Sequence, residues 1–226
     1  MPYILHIEST STVCSVALSD SDQLLTIKEL NNGYTHAENL HLFIQDVLLE
    51  ACIEAKQLSA ISVSTGPGSY TGLRIGYASA KGLAYALNIP LISVSTLQAL
   101  TTLAIEQTKA DALYCPMIDA RRMEVYYALY NKSLKEVLPV NPLILSEESI
   151  KQFNIDKPIY FFGDGMPKAK ELLITLSSAF FIENIVSSAK ALIPFAYQKF
   201  VQQDFDDIAY AEPMYLKEFY FAVSKK

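Results

Sequence analysis

The sequence is poor in the residues that build disulfide frameworks and zinc knuckles. Its three cysteines, Cys14, Cys52 and Cys115, lie far apart and never in a C-x-x-C spacing. An odd number of widely spaced cysteines argues against a fold that depends on disulfides or structural zinc. We therefore expect buried thiols in a protein of the reducing cytoplasm.

Basic residues are also scarce. The 226 residues include 18 Lys and Arg against 24 Asp and Glu, which gives a formal net charge of −6. A domain that binds nucleic acid by itself normally has a basic face. The charge therefore predicts no direct binding of nucleic acid by this chain alone, and a partner would supply any such contact.

Long apolar runs and a secretory signal are missing as well. The apolar start, Met1–Ile7, has no basic residue before it and is interrupted by Glu8-Ser9-Thr10-Ser11, unlike a signal peptide. No stretch reaches the ~18 consecutive apolar residues of a membrane-spanning helix, so we expect no membrane partner. The chain is nevertheless 51% hydrophobic, with 14 Tyr and 11 Phe, which is typical of an ordered globular protein.

The first half of the chain predicts the element order βββαβαβ. Apolar and β-branched runs predict strands at residues 3–8, 13–18, 24–30, 61–65 and 91–94. A helix is predicted from Thr35 to Cys52, beginning with the capping box Thr35-His36-Ala37-Glu38. A second helix, from Thr71 to Leu87, has apolar residues at helical spacing.

The second half repeats this order. Strands are predicted at residues 112–118, 123–130, 134–140, 159–162 and 179–182, and helices near Ser146, over 168–176 and over 187–200. An acid ends the first strand of each half, and a glycine turn follows each fourth strand. The repeat predicts an α/β fold, the duplicated ribonuclease-H-like fold of the actin, hexokinase and Hsp70 superfamily. We divide it into residues 1–102 and 103–226, and the last helix can pack back on the first lobe.

The most distinctive segment is the glycine-rich stretch 64–76. It is not a Walker A loop, since no Gly-Lys-Ser/Thr follows at the required spacing. A strand, glycine turn and helix present backbone amides that suit an anion, but the glycines can equally serve a tight turn. The candidate nucleotide site that follows from the repeat, vestigial at best, consists of Glu8, Gly66, Gly68, Asp119, Gly163 and Gly165.

Few residues are spaced so that they could bind a metal or catalyse a reaction together. His36 and His41 are five residues apart on one predicted helix, which places them ~140° apart around its axis. Zinc on a helix requires histidines at i and i+4, so no metal site is predicted. His6 alternates with apolar residues on a strand and is interpreted as a hydrogen-bonded core histidine. No nucleophile and base can be paired, so no catalytic residue is assigned.

Five segments together resemble the bacterial TsaB (YeaZ) family. They are residues 4–11 (ILHIESTS), 14–18 (CSVAL), 66–76 (GPGSYTGLRIG), 116–126 (PMIDARRMEVY) and 213–217 (PMYLK). The resemblance covers essentially the whole chain. It implies a two-lobed fold with a shortened second lobe and a role in making threonylcarbamoyladenosine next to the anticodon of tRNAs that read codons beginning with A.

In that family, the protein is a non-catalytic partner of its paralogue TsaD, which transfers the threonylcarbamoyl group. The resemblance therefore implies a heterodimer with a TsaD-type protein, joined by a TsaE-type ATPase, and a possible homodimer when the chain is alone. It implies no cofactor. TsaD-type proteins have a metal-binding His-x-x-x-His where this sequence has Thr96 and Leu100, and neither side chain replaces an imidazole ligand.

Two alternatives stay open. An ATP-dependent small-molecule kinase of the same superfamily would use Glu8, Asp119 and the two glycine turns. However, Glu8 stands where the TsaB family usually has Asp, one methylene shorter, which weakens any nucleotide site. A zinc metallopeptidase is the other alternative, and the missing histidine pair counts against it.

Each predicted helix of the first half has one stripe of residues that faces the core. Further small or apolar residues remain on a second face of each helix. Small or apolar side chains on a second face permit close approach of a partner, and adjoining faces of this kind are candidate interfaces. We expect the two helices to lie side by side on one sheet face. The predicted partner interface consists of Leu42, Leu49, Cys52, Ile75, Ser79, Gly82 and Ala86.

Overall fold

The first half of the chain forms a five-stranded mixed sheet. The computed structural model describes residues 1–33 and 36–216. β1 is antiparallel to β2 and parallel to β4, and the strand order is β3-β2-β1-β4-β5. The strands are β1 (Tyr3–Glu8), β2 (Cys14–Asp20), β3 (Gln23–Leu30), β4 (Leu58–Gly66) and β5 (Leu91–Ser95).

The second half forms a sheet with the same topology. β6 is antiparallel to β7 and parallel to β9, and the order β10-β9-β6-β7-β8 matches the first sheet read from its opposite edge. The predicted duplicated ribonuclease-H-like fold is therefore confirmed. The strands are β6 (Leu113–Asp119), β7 (Glu124–Asn131), β8 (Glu136–Ile144), β9 (Ile159–Phe162) and β10 (Ala179–Phe181).

Two helices, α1 (His36–Glu50) and α2 (Tyr70–Leu87), pack on one face of the first sheet. Their apolar stripes share one core with inward side chains of β1, β2 and β4, and the helix residues in it are Leu40, Ile44, Val47, Tyr77, Ala80 and Ala84. The predicted capping residue Thr35 lies outside the described residues. The predicted side-by-side arrangement of the two helices is confirmed, since Ser79 on α2 and His41 on α1 approach to 3.5 Å.

One helix of the first half is missing from the sequence interpretation. α3 (Thr96–Thr108) follows β5 directly and begins with Ser95, whose hydroxyl accepts the amide of Gln98. Its β-branched residues lower helix propensity and obscured the pattern, but Leu97 and Leu100 are buried against the second sheet. The predicted division at residue 102 falls within α3, and the lobe boundaries stay a prediction.

The second lobe is reduced at the counterpart of α1, which agrees with the shortened second lobe that the resemblance implied. In place of the 15-residue α1, it has a five-residue 3-10 helix, Ser149–Phe153, so the helix predicted near Ser146 is present only in this short form. The hydroxyl of Ser146 accepts the amide of Ser149, and the hydroxyl of Ser149 accepts the amide of Ser146. These local bonds favour a tight turn over a longer helix. The following helix is α4 (Met166–Leu173).

The last helix, α5 (Ile193–Gln202), packs on the first sheet, on the face opposite α1 and α2. Its Ala196 and the preceding Leu192 share a core with Ile4 and Ile92. The chain therefore returns to the first lobe after forming the second sheet. Among the described residues, no helix has the length and apolar character needed to cross a bilayer.

His6 is a core histidine held by two hydroxyls, as the sequence predicted. Its Nδ1 lies 2.7 Å from Ser62 Oγ and its Nε2 lies 2.9 Å from Ser19 Oγ. Since Ser19 donates its own proton to the carbonyl of Ser21, its oxygen accepts from Nε2–H, and Nδ1 accepts from Ser62. Complete burial of this neutral ring lowers the pKa of His6 to about 3.

The buried imidazole makes the free energy of unfolding depend on pH. The unfolded chain binds a proton at His6 below its ordinary pKa of about 6.5, whereas the folded chain does not until about pH 3. The contribution of His6 is therefore complete above pH 6.5 and decreases as the pH falls, by about 2 kcal/mol at pH 5. Urea unfolding of the wild type and of His6→Gln at pH 7.5 and pH 5 measures this decrease.

The change in unfolding free energy between the two pH values is compared in the wild type and in His6→Gln. The difference between these two changes gives the contribution of His6, because the other titrating groups are common to both proteins. One of them is Glu8, whose pKa is raised by burial and whose contribution has the opposite sign. We expect the wild type to lose about 2 kcal/mol more than His6→Gln between the two pH values. Equal losses would contradict a neutral, buried His6.

Candidate functional site

The exposed surface of α1 and α2 contains most of the predicted interface residues. Leu42 is 55% exposed and Leu49 is 78% exposed, and both lie on α1. Gly82 and Ala86 are exposed on α2, and a Cβ added at Gly82 would have no atom within 4 Å. Exposed apolar side chains and an open glycine on adjoining helices are features of a candidate interface.

The other three predicted residues differ in their surroundings. Cys52 is exposed just beyond α1, in a left-handed conformation with φ of 55°. Ser79 is half-buried at the junction of the helices beside His41. Ile75 is half-buried and packs partly against the core, so it contributes little free surface. The assignment of these seven residues to an interface stays a prediction.

The sequence interpretation missed the most exposed residues of α2. Tyr85 is 80% exposed, and Arg74 and Ala78 are exposed on the same face. Arg74 lies over the ring of Tyr70, with 5.1 Å between the guanidinium carbon and the ring centroid. The spacing 74, 78, 82, 85 is itself a helical stripe, displaced by about one residue from the predicted one.

The glycine-rich segment lies against the turn that follows β1. A Cβ at Gly72 would lie 2.0 Å from the carbonyl oxygen of Ser9, and a Cβ at Gly68 would lie 2.4 Å from that of Thr10. The amide of Ser69 bonds to the Thr10 carbonyl at 2.6 Å, and the amide of Gly72 bonds to the Ser69 hydroxyl at 3.2 Å. The glycines thus serve close packing of α2, and these amides are already bonded within the chain.

The second lobe repeats this contact. Gly163 has φ of 93°, and a Cβ there would lie 2.3 Å from the carbonyl oxygen of Met117 at the end of β6. A Cβ at Gly165 would lie 2.8 Å from the carbonyl carbon of Ile118. In both lobes the turn after the fourth strand packs on the end of the first strand, so the sequence repeat is also a repeat of contacts.

The two acids at the strand ends have structural partners. Glu8 is buried and its carboxylate accepts the amide and hydroxyl of Thr10 and the hydroxyl of Ser64, while burial raises its pKa. Asp119 is exposed; its carboxylate accepts Lys168 Nζ at 2.8 Å and the amide of Arg121 at 2.5 Å. Both carboxylates are thus held by partners within the chain.

The cleft between the lobes is small. It is lined by residues of both lobes, including Thr10, Ile118 and Asp164, and its volume is about 40 Å³. Pockets for small ligands and cofactors have about 300–1,000 Å³. None of Glu8, Gly66, Gly68, Asp119, Gly163 and Gly165 lines this cleft, although Gly163 lines a second pocket of about 260 Å³ beside α4. The vestigial nucleotide site that these six residues form stays a prediction.

The positions of the missing histidine pair are occupied by structural residues. The hydroxyl of Thr96 accepts the amide of Gly66 at 3.1 Å, and Leu100 is buried in the core. His36 is buried, with Nε2 2.8 Å from the carbonyl oxygen of Ser11, whereas His41 is exposed on α1. Within 1–33 and 36–216, no three His, Cys, Asp or Glu side chains group together as metal ligands.

The segment that ends the described chain crosses α2 near its start. The amide of Met214 bonds to the carbonyl of Thr65 at 2.7 Å, and the ring of Tyr215 lies 5.3 Å from that of Tyr70. The tail motif that carried part of the resemblance therefore packs beside the glycine-rich segment. Its last residue, Lys217, lies outside the described residues.

Comparisons with known proteins find a TsaD family model and several TsaB relatives, both connected with threonylcarbamoyladenosine in tRNA. Residues 32–211 match the family model described as TsaD, tRNA N6-adenosine threonylcarbamoyltransferase. The tRNA threonylcarbamoyladenosine biosynthesis protein TsaB of Bacillus subtilis is 35% identical over 180 residues, covering 75% of this chain and 74% of that protein. The TsaB protein of Escherichia coli is 29% identical over 222 residues, covering 95% and 94%.

A solved structure extends this similarity to the fold. YeaZ from Pseudomonas aeruginosa superimposes with a TM-score of 0.82 at 25% identity, covering 96% of this chain and 100% of that one. The similarity therefore includes both lobes, and the resemblance to TsaB (YeaZ) proteins is confirmed.

Proposed function

Because this chain belongs to the TsaB (YeaZ) family, we propose that it is a non-catalytic subunit of the machinery that makes threonylcarbamoyladenosine in tRNA. It activates or supports a TsaD-type threonylcarbamoyltransferase by forming a heterodimer with it. A TsaE-type ATPase joins this pair. The modified nucleoside lies next to the anticodon of tRNAs that read codons beginning with A.

The observation that carries the proposal is the exposed surface of α1 and α2. Two leucines, Leu42 and Leu49, are more than half exposed on α1, and the neighbouring part of α2 offers Gly82 and Ala86. A paralogue with the same fold can present its own helix pair to this surface, which gives a four-helix contact. Such an interface buries on the order of 1,200–2,000 Å² in total.

The surroundings of the candidate catalytic positions support the non-catalytic part of the proposal. Thr96 and Leu100 occupy the metal-ligand positions of TsaD-type proteins and make structural contacts instead. The kinase alternative needs a nucleotide cleft between the lobes, whereas the cleft lined by Thr10, Ile118 and Asp164 has about 40 Å³. Glu8, its candidate acid, is enclosed by Thr10 and Ser64.

Co-expression with the TsaD-type protein of the same organism tests the proposal. We expect a stable heterodimer by size-exclusion chromatography, and threonylcarbamoylation of tRNA by TsaD that requires this chain. A variant with TsaD's own histidine pair removed is the matched control, because modification should stop although the heterodimer still forms. Modification of tRNA by this chain without TsaD would contradict a non-catalytic role.

We expect the chain alone to bind tRNA negligibly at physiological salt. Its net charge of −6 offers few phosphate contacts, and phosphate contacts supply most non-specific affinity for nucleic acid. A gel-shift titration at 150 mM salt measures this, with the heterodimer as the positive control. A Kd at or below about 1 μM for the isolated chain would contradict the idea that the TsaD-type partner supplies the main tRNA surface.

A further inference from the structure

Arginine is rare in this chain and is concentrated at one place. Of the 18 Lys and Arg residues only three are arginines, Arg74, Arg121 and Arg122. Arg74 lies over Tyr70 on α2, whereas Arg121 and Arg122 are adjacent in the turn between β6 and β7. Lysine supplies nearly all the positive charge elsewhere, and the arginine guanidinium differs from the lysine ammonium in its planar, two-pronged donor geometry.

The backbone of this turn places the two arginines at its centre. Arg121 and Arg122 have φ of 66° and 48°, in the left-handed region that favours glycine and asparagine. The carboxylate of Asp119 accepts the amide of Arg121 at 2.5 Å, and Lys168 Nζ donates to the carbonyl of Arg122 at 2.9 Å. Two consecutive residues with positive φ are typical of a tight hairpin turn, so both arginines occupy the tip of the β6–β7 hairpin.

The side chains of the two arginines are available for binding. Both residues are exposed, and within residues 1–33 and 36–216 neither guanidinium takes part in an ion pair or a hydrogen bond. The adjacent carboxylate of Asp119 is neutralised by Lys168 instead. Two unpaired guanidiniums next to each other attract phosphate or carboxylate groups, which their donor geometry fits.

The position of the turn limits the kind of ligand that the two arginines can bind. The amide of Asp119 bonds to the Asp164 carboxylate, and Asp164 and Ile118 line the small inter-lobe cleft, whereas neither arginine lines it. A cleft of about 40 Å³ cannot enclose a nucleotide. The arginines form an exposed turn, which suits an anionic polymer that lies across the surface.

We propose that Arg121 and Arg122 bind two backbone phosphates of the tRNA held by the heterodimer. This inference rests on the proposed function, which supplies the tRNA. Two phosphate contacts are too few to hold tRNA on the isolated chain, so negligible binding by the chain alone is expected as well. In the heterodimer they add to the contacts of the partner and orient the tRNA relative to the second lobe.

The salt dependence of tRNA binding by the heterodimer tests the proposal. Each phosphate contact contributes about 0.7–0.9 to the slope of log Kd against log salt concentration. We expect Arg121→Asn/Arg122→Asn to reduce the magnitude of this slope by about 1.4–1.8. Asparagine suits the left-handed backbone, so the melting temperature should stay unchanged or rise. A change in the slope would therefore not be caused by loss of folding.

Two control variants distinguish the effect of the position of the arginines from the effect of their charge. Lys132→Gln/Lys135→Gln removes the same charge from the turn at the opposite end of β7, about 25 Å away, which is well beyond the screening length. Its slope should equal that of the wild type. Arg121→Lys/Arg122→Lys keeps the charge and should keep the slope, with a weaker affinity because lysine lacks the two-pronged donor geometry.

The possible outcomes are distinct. A slope that is unchanged in Arg121→Asn/Arg122→Asn, in a heterodimer that binds tRNA, overturns this proposal and leaves the proposed function intact. Loss of the heterodimer in that variant would mean that the arginines bind carboxylates of the partner, and it also overturns the proposal. Failure of the wild-type chain to form any heterodimer contradicts both the proposed function and this inference.

Discussion

We expect Gly82→Leu to abolish binding of the TsaD-type partner while the chain stays folded. Gly82 is exposed on α2, and an added Cβ has no atom within 4 Å, so the leucine side chain points into the space that a partner helix would occupy. Leucine at the centre of a close helix contact acts as a wedge. The melting temperature should stay the same or rise slightly, because leucine is a better helix former than glycine by about 0.8 kcal/mol.

Titration calorimetry with the purified partner measures this effect against two controls. Gly82→Ala adds one methyl group, so it should bind and gain about 1 kcal/mol in stability. Gln107→Leu adds the same side chain to an exposed position of α3, away from α1 and α2, and should bind like the wild type. Wild-type affinity of Gly82→Leu would show that this face is not the interface.

The location of this surface could be predicted from the sequence because it depends on local pattern. The spacing of apolar residues defined α1 and α2, and the order βββαβαβ placed them side by side. The exposed face of α2 was harder to predict, since alanine, glycine and serine differ little in hydrophobicity. The exposed side is centred nearer Ala78 and Tyr85 than Ser79, a difference that only the packing against the sheet determines.

Other features could not be predicted because they depend on contacts that are distant in sequence. α3 has a weak helical pattern, and its position against Tyr114 and Phe162 defines it better than its own residues do. The role of the glycines depends on how closely α2 approaches the turn at Ser9 and Thr10. From sequence alone, a glycine that binds an anion and a glycine that permits close packing are indistinguishable.

We expect Gly72→Ala to destabilise the protein strongly, although the same substitution at Gly82 stabilises it. A Cβ at Gly72 would lie 2.0 Å from the backbone carbonyl oxygen of Ser9, so α2 or the turn after β1 must move. Overpacking of this kind costs about 3 kcal/mol, more than the ~1 kcal/mol gained in helix propensity. Thermal and urea unfolding of Gly72→Ala and Gly82→Ala measure the two opposite effects on one helix.

Gly76 offers a sharper test, because its close neighbour is a side chain. A Cβ at Gly76 would lie 2.3 Å from Ser9 Oγ but 3.5 Å from Ser9 Cβ, so removal of the hydroxyl should relieve the clash. We therefore expect Ser9→Ala to recover most of the stability lost in Gly76→Ala, and to recover none of that lost in Gly72→Ala.

The double-mutant cycle thus distinguishes a side-chain clash from a backbone clash at the same turn. Ser9→Ala alone removes the bond from its hydroxyl to the Gly72 carbonyl and should cost about 1 kcal/mol, which sets the baseline for both cycles. If Gly72→Ala were as stable as the wild type, the turn after β1 would have room beside α2. Gly72 would then not be required for close packing of α2, and its amide could serve an anion instead.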